Sequence, residues 1–163
     1  MGGEATYDST LKILRYKVIY QGRLMMNILI IEDDVTSGKV LSRILQHYGT
    51  VTIATDGKQG LNIFKDALRN KIPYDLVFLD IMMPEIDGQE VLMEIRKSEA
   101  MQGILGFDGV KVIMTTALDD NKNIIQAFRS QCEGYLVKPI FKDKVHAEIK
   151  RLFDESGSSH STF

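Results

Sequence analysis

Short apolar runs alternate with amphipathic segments along most of this chain. The runs hold few polar residues, as is typical of strands that are covered on both faces. They occupy residues 28–31, 51–54, 76–79, 110–114 and 135–137. Between and after them, apolar residues recur at helical spacing around Leu41, Phe64, Ile95, Phe128 and Ile149. Five strands that alternate with five helices predict right-handed βαβ units and a doubly wound, five-stranded parallel sheet of the α/β class.

Both ends of the chain depart from this alternation. Residues 1–25 form an N-terminal extension in which apolar and basic residues are mixed. We expect a leader without regular structure, or translation from Met25 or Met26, with an added strand or a dimerisation arm as the alternative. Residues 26–155 are expected to form one domain, and the polar residues 156–163 a disordered tail. Because so short a tail leaves no room for a DNA-binding module, we expect a stand-alone domain.

Composition and charge exclude several classes of function. The 163 residues include 20 Lys and Arg against 22 Asp and Glu, which gives a formal net charge of −2. Binding to nucleic acid or to a membrane surface normally needs a basic excess, so we expect neither. We find no apolar run long enough to span a membrane. The single cysteine, Cys132, excludes a disulfide framework and favours a reducing cytoplasm as the compartment.

Polar side chains directly follow four of the five predicted strands. They are Glu32, Asp33 and Asp34 after the first strand, Asp80 after the third, Thr115 and Thr116 after the fourth, and Lys138 after the fifth. In a doubly wound sheet, the ligand site lies beyond the carboxyl ends of the strands. Taken singly, each residue also has a structural interpretation, such as Asp34 capping a helix. Their joint placement is what predicts a functional site.

The types of residue in this group indicate its chemistry. Crowded carboxylates repel one another unless a cation joins them. Because every candidate ligand atom is a hard oxygen, Mg²⁺ or Mn²⁺ is favoured over zinc. Lys138 offers a compact positive charge for Asp80 or for a phosphoryl group, and Thr116 offers a hydroxyl donor. An aspartate beside a metal ion can act as a nucleophile toward phosphorus, which makes Asp80 the candidate nucleophile.

With these motifs in place, residues 27–153 resemble a bacterial response-regulator receiver domain, of the stand-alone type found in chemotaxis regulators. The motifs that carry the resemblance are Ile30-Ile31-Glu32-Asp33-Asp34, Leu79-Asp80-Ile81-Met82-Met83-Pro84 with Asp87-Gly88, Thr115-Thr116-Ala117, and Gly134-Tyr135-Leu136-Val137-Lys138-Pro139. The resemblance implies a flavodoxin-like sheet with the strand order 2-1-3-4-5. It also implies a role in two-component signal transduction rather than an enzyme activity.

The resemblance assigns a role to each site residue. It implies that Asp80 is phosphorylated by a histidine kinase or a phosphotransfer protein, in a reaction that requires Mg²⁺ or Mn²⁺. The implied metal ligands are Asp33, Asp80, Glu32 through a water molecule, and the backbone carbonyl of Met82. Thr116 and Lys138 would contact the phosphoryl group, and Tyr135 would turn inward when Thr116 moves. The Lys138–Pro139 peptide bond is expected to be cis.

The resemblance also implies how the signal leaves the domain. Phosphorylation would alter the surface formed by the fourth helix, fifth strand and fifth helix, where a downstream effector protein would bind. The same surface could support a homodimer. One departure from the family is the long segment 98–109, in which Ile104, Leu105 and Phe107 lie among glycines. We expect this segment either to bind a partner or a second copy, or to cover the edge of the core.

Two other classes of function remain open. A flavin-binding module shares the fold, but it would need a Ser/Thr/Gly-rich phosphate loop after the first strand, where this chain has acidic residues. An aspartyl-phosphate hydrolase usually carries a second acid two residues after its nucleophile, where Met82 stands here. Both features favour the receiver interpretation.

Overall fold

The structure is a computed structural model that describes residues 18–20, 23–117 and 131–154. Its strands are β1 (Val18–Tyr20), β2 (Arg23–Ile31), β3 (Gly49–Ala54), β4 (Leu76–Asp80), β5 (Lys111–Thr116) and β6 (Gly134–Val137). Its helices are α1 (Val35–Leu45), α2 (Gly57–Arg69), α3 (Gly88–Met101) and α4 (Lys142–Asp154), with a 3₁₀ turn at Gly106–Asp108. The predicted fourth helix around Phe128 lies outside the described residues, so α4 is the predicted fifth helix. Within the described parts, we find no helix long and apolar enough to cross a membrane.

The parallel sheet has the predicted topology. Its strand order is β3-β2-β4-β5-β6, which confirms the order 2-1-3-4-5 expected for a flavodoxin-like fold. The register pairs Ile31 with Leu79, Asp80 with Thr115, and Thr116 with Val137. The carboxyl ends of neighbouring strands therefore meet along one edge of the sheet.

Both faces of the sheet are covered by helices, and this explains the uninterrupted apolar strands. Ile28, Leu29, Ile30 and Ile31 of β2 are all fully buried. Leu29 and Ile31 pack in a cluster with apolar residues of α2 and α3, whereas Ile28 and Ile30 pack with α1 and α4. Because successive side chains of a strand point to opposite faces, both faces of β2 need apolar residues.

The N-terminal extension contributes a strand. In β1, Val18 pairs with Met25 and Tyr20 pairs with Arg23 in antiparallel register. An added strand was the alternative expectation for this part of the chain. The domain boundary expected at residue 26 falls inside β2, which begins at Arg23.

Gly49 follows a helical pattern in the sequence, where a glycine commonly ends a helix, but in the structure it has a different role. The α1 helix ends at Leu45, and Gly49 is already the first residue of β3. A Cβ atom on Gly49 would lie 1.9 Å from the carbonyl oxygen of Met26. Glycine therefore permits a close approach of β3 to β2 rather than ending the helix.

The long segment 98–109 is partly helical. α3 continues to Met101, and the chain then turns through Gly103 and Gly106, both of which have positive φ angles. Ile104 is buried, whereas the side chain of Leu105 is 68% exposed. Ile104 thus covers the core, as one of the two expectations requires, and the binding of a partner by this segment stays a prediction.

Candidate functional site

Three carboxylates meet at the carboxyl edge of the sheet. Glu32 and Asp33 follow β2, and Asp80 is the last residue of the adjacent strand β4. One carboxylate oxygen from each of the three residues lies within 4.8 Å of the other two. Glu32 and Asp80 are only 2% and 4% exposed, whereas Asp33 is exposed to solvent. The group is therefore buried on one side and accessible on the other.

Lys138 completes the group from the end of β6. Its Nζ lies 2.9 Å from Oε2 of Glu32 and donates a hydrogen bond of 3.0 Å to Oδ2 of Asp80. Its backbone N–H donates to the carbonyl of Thr116 at 2.7 Å, which ties it to the end of β5. The Lys138–Pro139 peptide bond is cis, which confirms the expectation. One ammonium group faces three carboxylates, so negative charge is in excess when all are ionised.

The protonation of the site reflects this imbalance. Burial raises the pKa of Asp80 to about 7; the hydrogen bond from Lys138 opposes this change and the charge of Glu32 adds to it. Burial acts to lower the pKa of Lys138, but its hydrogen bonds to Glu32 and Asp80 outweigh burial and raise this pKa. Lys138 therefore stays charged at neutral pH, whereas Asp80 is incompletely ionised. A cation bound beside Asp80 would favour its ionised form.

Backbone contacts fix the orientation of the buried carboxylates. The backbone N–H of Asp34 donates to Oε1 of Glu32 at 3.2 Å, and that of Met82 donates to Oδ1 of Asp80 at 3.3 Å. A Cβ atom on Gly88 would lie 2.3 Å from the carbonyl oxygen of Asp80, so glycine lets the start of α3 pack against this residue. The sequence gives no sign of the Asp34–Glu32 contact, because it depends on the turn that follows β2.

Asp34 itself has a structural role. Its side chain accepts a hydrogen bond of 2.6 Å from the backbone N–H of Ser37 and caps α1. The hydrogen bond from Ser37 lowers the pKa of Asp34. The extra acid after β2 thus serves the helix rather than the carboxylate group.

The remaining predicted residues surround the carboxylates. Thr116 is fully buried at the end of β5, next to the residue that pairs with Asp80, and its hydroxyl donates to the carbonyl of Ala117 at 3.1 Å. The Met82 side chain is 62% exposed beside Asp80. Tyr135 lies on β6, three residues before Lys138, and its side chain is 38% exposed. The structure therefore places Tyr135 outside the carboxylate group, at the adjoining surface.

The donor atoms suit a hard divalent cation. The group offers carboxylate oxygens from Glu32, Asp33 and Asp80, together with backbone carbonyls nearby, and it contains neither histidine nor cysteine. Mg²⁺ is usually bound through one or two carboxylates and keeps several water molecules, and the exposed side at Asp33 allows this. The residues present thus fit Mg²⁺ or Mn²⁺ and do not suit zinc.

Comparisons with known proteins agree with this geometry. The family model described as "Response regulator receiver domain" matches residues 28–150. A probable transcriptional regulator ycf27 of Guillardia theta is 34% identical over 140 residues, which cover 83% of this chain and 50% of that protein. The DNA-binding dual master transcriptional regulator RpaA of Synechocystis is 34% identical over 129 residues, which cover 78% and 49%. The chain therefore spans about half the length of these relatives.

Solved structures show the same fold. CheY of Borrelia burgdorferi, in a crystal structure with CheX, BeF₃ and Mg²⁺, has a TM-score of 0.66 at 27% identity, covering 81% of this chain and 91% of that one. A response regulator receiver domain protein of Clostridium thermocellum has a TM-score of 0.64 at 25% identity, covering 81% and 97%. These similarities favour the receiver interpretation over the flavin-binding alternative.

Proposed function

Because the chain belongs to the response regulator receiver domain family, we propose that it is phosphorylated on Asp80 by a histidine kinase or a phosphotransfer protein. The observation that carries this proposal is the group of three carboxylates within 4.8 Å, with Lys138 bonded to both Glu32 and Asp80. Asp80 is buried beside the ammonium group of Lys138, and the site is open to solvent on the side of Asp33. This arrangement suits a carboxylate that acts as a nucleophile toward phosphorus. A cytoplasmic location follows from this proposal, since a cytoplasmic kinase would supply the phosphoryl group.

The proposed cofactor is Mg²⁺ or Mn²⁺. Asp33 and Asp80 would bind it through their carboxylates, Glu32 through a water molecule, and Met82 through its backbone carbonyl. When bound, the ion supplies positive charge that stabilises the transferring phosphoryl group. The accessible carboxylate of Asp33 and the excess negative charge of the site support this assignment.

The side chains divide the transfer step among them. A carboxylate oxygen of Asp80 forms a bond to phosphorus while the bond from phosphorus to the imidazole nitrogen of the donor breaks. The electron pair of that bond returns to the imidazole, and Asp80 becomes an acyl phosphate. Lys138, whose pKa is raised, remains protonated and offsets the added negative charge. The exposed, apolar Met82 stands where a hydrolase would place a second acid, so we propose that the chain holds the phosphoryl group rather than turning over phosphate esters.

The proposed output is a change of surface. Phosphorylation places a group that carries roughly 1.5 to 2 negative charges near Thr116. Thr116 would contact the phosphoryl group, and Tyr135 would then turn inward. Tyr135 and Val137 of β6 are 38% and 39% exposed, and Phe141, one residue before α4, is 58% exposed. These side chains support the binding of a downstream effector protein, or of a second copy of the chain, on this surface together with the predicted fourth helix.

Labelling with a small phosphodonor tests the proposal. Incubation of the chain with radiolabelled acetyl phosphate and Mg²⁺ should give one acid-stable, base-labile phosphoryl group. Asp80→Asn and addition of EDTA should each abolish labelling. Asp34→Asn is the matched control, since asparagine also caps a helix and Asp34 lies outside the carboxylate group. Native labelling of Asp80→Asn, or labelling unchanged by EDTA, would refute the proposal.

A further inference from the structure

A second group of charged side chains, of which Glu99 is buried, lies at the other end of the sheet, where β5 and β6 begin. Arg96 of α3 donates from Nη1 to Oε2 of Glu99 at 2.8 Å, and from Nη2 to both carboxylate oxygens of Glu133 at 3.0 and 3.2 Å. Its other bonds go to the carbonyls of Val110, at 2.9 Å, and Gln131, at 3.0 Å. The side chain of Glu99 is 5% exposed and that of Arg96 is 24% exposed. The guanidinium thus joins α3 to β5 and to the segment that enters β6.

Glu133 is held by three elements. Its backbone N–H donates to the carbonyl of Val112 at 2.9 Å, and its carboxylate accepts the N–H of Val112 at 2.6 Å. Its carbonyl accepts a hydrogen bond of 2.6 Å from Arg151 of α4. Together with Arg96, these contacts fix Glu133 against β5, α3 and α4. The backbone bond from Glu133 to Val112 therefore continues the pairing of β5 with β6 by one residue before the start of β6.

The position of Glu133 sets the register of β6 and therefore the position of Lys138. β6 has only four residues; it begins directly after Glu133 and ends directly before Lys138. Strand geometry separates the two residues by about 16 Å. A shift of β6 by one residue would turn every side chain of the strand to the other face. Such a shift would also carry the Lys138 ammonium away from Asp80.

We propose that Glu133 and Arg96 are positioning residues for phosphoryl transfer: they hold β6 in the register that brings Lys138 to Asp80. The inference rests on the proposed role of Lys138 beside Asp80. Neither Glu133 nor Arg96 touches Asp80, so they act only through the strand. At the far end of β6, the bond from the Lys138 N–H to the Thr116 carbonyl fixes the same register.

A double-mutant cycle tests the inference in the full chain. The labelling rate with acetyl phosphate is measured for the native chain, Glu133→Ala, Lys138→Ala and the double variant. Glu133→Ala should slow labelling about fivefold when Lys138 is present and have little effect when Lys138 is absent, because residues that act through one another are not additive. Glu133→Gln keeps an acceptor for the Val112 N–H and should fall between Glu133→Ala and the native chain.

The control is Glu94→Ala, which removes ion pairs with Lys65 and Lys97 from the exposed side of α3. It should label at the native rate. Equal slowing by Glu133→Ala with and without Lys138, or no slowing at all, would overturn the inference. Absence of labelling in the native chain would instead count against the proposed function.

Hydrogen exchange gives a readout that needs no phosphorylation. Glu133→Ala should speed exchange of the Lys138 amide about tenfold or more relative to amides of β2, because the variant loosens the register of β6 locally. If Glu133→Ala does not fold, Arg96→Lys takes its place with the same expected result. Glu94→Ala should leave that ratio unchanged. An unchanged exchange ratio in both the Glu133 and the Arg96 variants would overturn the inference. If Lys138→Ala labels too slowly for the double-mutant cycle, the exchange measurement alone tests the inference.

Discussion

The two ends of the parallel sheet differ in how their carboxylates are paired and hydrogen-bonded. At the carboxyl end, Lys138 pairs with Glu32 and Asp80, and a carboxylate oxygen of Asp33 lies within 4.8 Å of theirs. At the amino end of β5 and β6, Glu99 and Glu133 share Arg96. There each carboxylate also accepts a backbone N–H, from Val110 at 2.5 Å and from Val112 at 2.6 Å. The first group has three carboxylates for one cation and contains a carboxyl with a raised pKa. The second has two carboxylates for one cation, and each of them is bonded both to Arg96 and to a backbone N–H.

This difference separates a binding site from a structural network. Ionised carboxylates at close range are costly unless each is paired or hydrogen-bonded. The amino-end network meets that condition within the chain, so we expect it to stabilise the fold. The carboxyl-end group is only partly paired, and we expect that a cation from solution neutralises the remaining negative charge. Removal of one charge should therefore have opposite effects on stability at the two ends.

The largest expected effect is at the amino end. Arg96→Met would leave the buried carboxylate of Glu99 without its cation, and we expect the free energy of unfolding to fall by about 4 kcal/mol. Urea denaturation at pH 7 measures this change. Lys65→Met is the control, because it breaks an ion pair of α2 with α3 whose side chains are both 39% exposed, and it should change stability little. Similar losses for the two variants would show that the amino-end network is no more than a surface ion pair.

At the carboxyl end, Asp80→Asn should stabilise the metal-free protein. The pKa of Asp80 is about 7 in the folded chain, above the value of 3.8 for an unperturbed aspartate. The folded state therefore binds this proton more tightly, and the contribution of Asp80 to stability is lost as the pH rises from about 4 through 7. We expect Asp80→Asn to raise the free energy of unfolding by roughly 2–3 kcal/mol at pH 8. At pH 4.5 the gain should be much smaller.

Urea denaturation in EDTA at the two pH values checks this sign. A gain that is equal at pH 4.5 and pH 8 would attribute the stabilisation to something other than the ionisation of Asp80. A loss of stability at pH 8 would show that the attraction of Lys138 outweighs burial.

The two ends also differ in how far the sequence could predict them. Each residue of the carboxyl-end group directly follows a strand, and the topology of a doubly wound sheet gathers such residues at one edge. The sequence therefore predicts the group without knowledge of any contact. Arg96 and Glu99 belong to an amphipathic helix, where charged residues normally face solvent. Nothing in their spacing indicates that Arg96 reaches Glu133, which is 37 residues away.

Gly49 shows a similar limit on a local scale. A glycine after a helical pattern is a common helix stop, and the sequence offers no sign of another role. Its role depends on the 1.9 Å approach that a Cβ atom would make to the carbonyl oxygen of Met26, 23 positions earlier. Local patterns thus predict the elements and their order, whereas contacts between distant segments appear only in the structure.

Stabilisation by Mg²⁺ should depend on the carboxyl-end group and not on the amino-end network. A ligand that binds only the folded state raises its stability, by about 1.4 kcal/mol when its concentration is ten times its dissociation constant. We expect this gain for the native chain and for Asp34→Asn, and its loss in Asp33→Asn. Arg96→Lys should keep the gain, because Arg96 acts on the position of Lys138, which is not among the proposed ligands of the ion. Thermal unfolding with and without Mg²⁺ measures the effect, and an equal gain in Asp33→Asn would place the ion elsewhere.

The smallest expected effect concerns the open side of the carboxyl-end group. With Asp80 as the proposed phosphoacceptor, the resemblance to the family implies that Met82, two positions later, flanks the path of the water that hydrolyses the acyl phosphate. Its side chain is 62% exposed beside Asp80 and cannot orient an attacking water by hydrogen bonding. Met82→Asn should therefore speed loss of the phosphoryl group about threefold, which lowers the barrier by roughly 0.7 kcal/mol. The resemblance implies a second flanking residue, Leu118, which lies outside the described residues.

The decay of radiolabelled protein after removal of the phosphodonor measures this rate. Met93→Asn is the control, since it makes the same chemical change at an exposed methionine of α3, 52% exposed, that lies outside the carboxylate group. A general effect of a new polar side chain would speed decay in both variants, whereas an effect on the attacking water should appear only in Met82→Asn. Equal decay of Met82→Asn and the native chain would mean that water reaches the acyl phosphate by a path that Met82 does not flank.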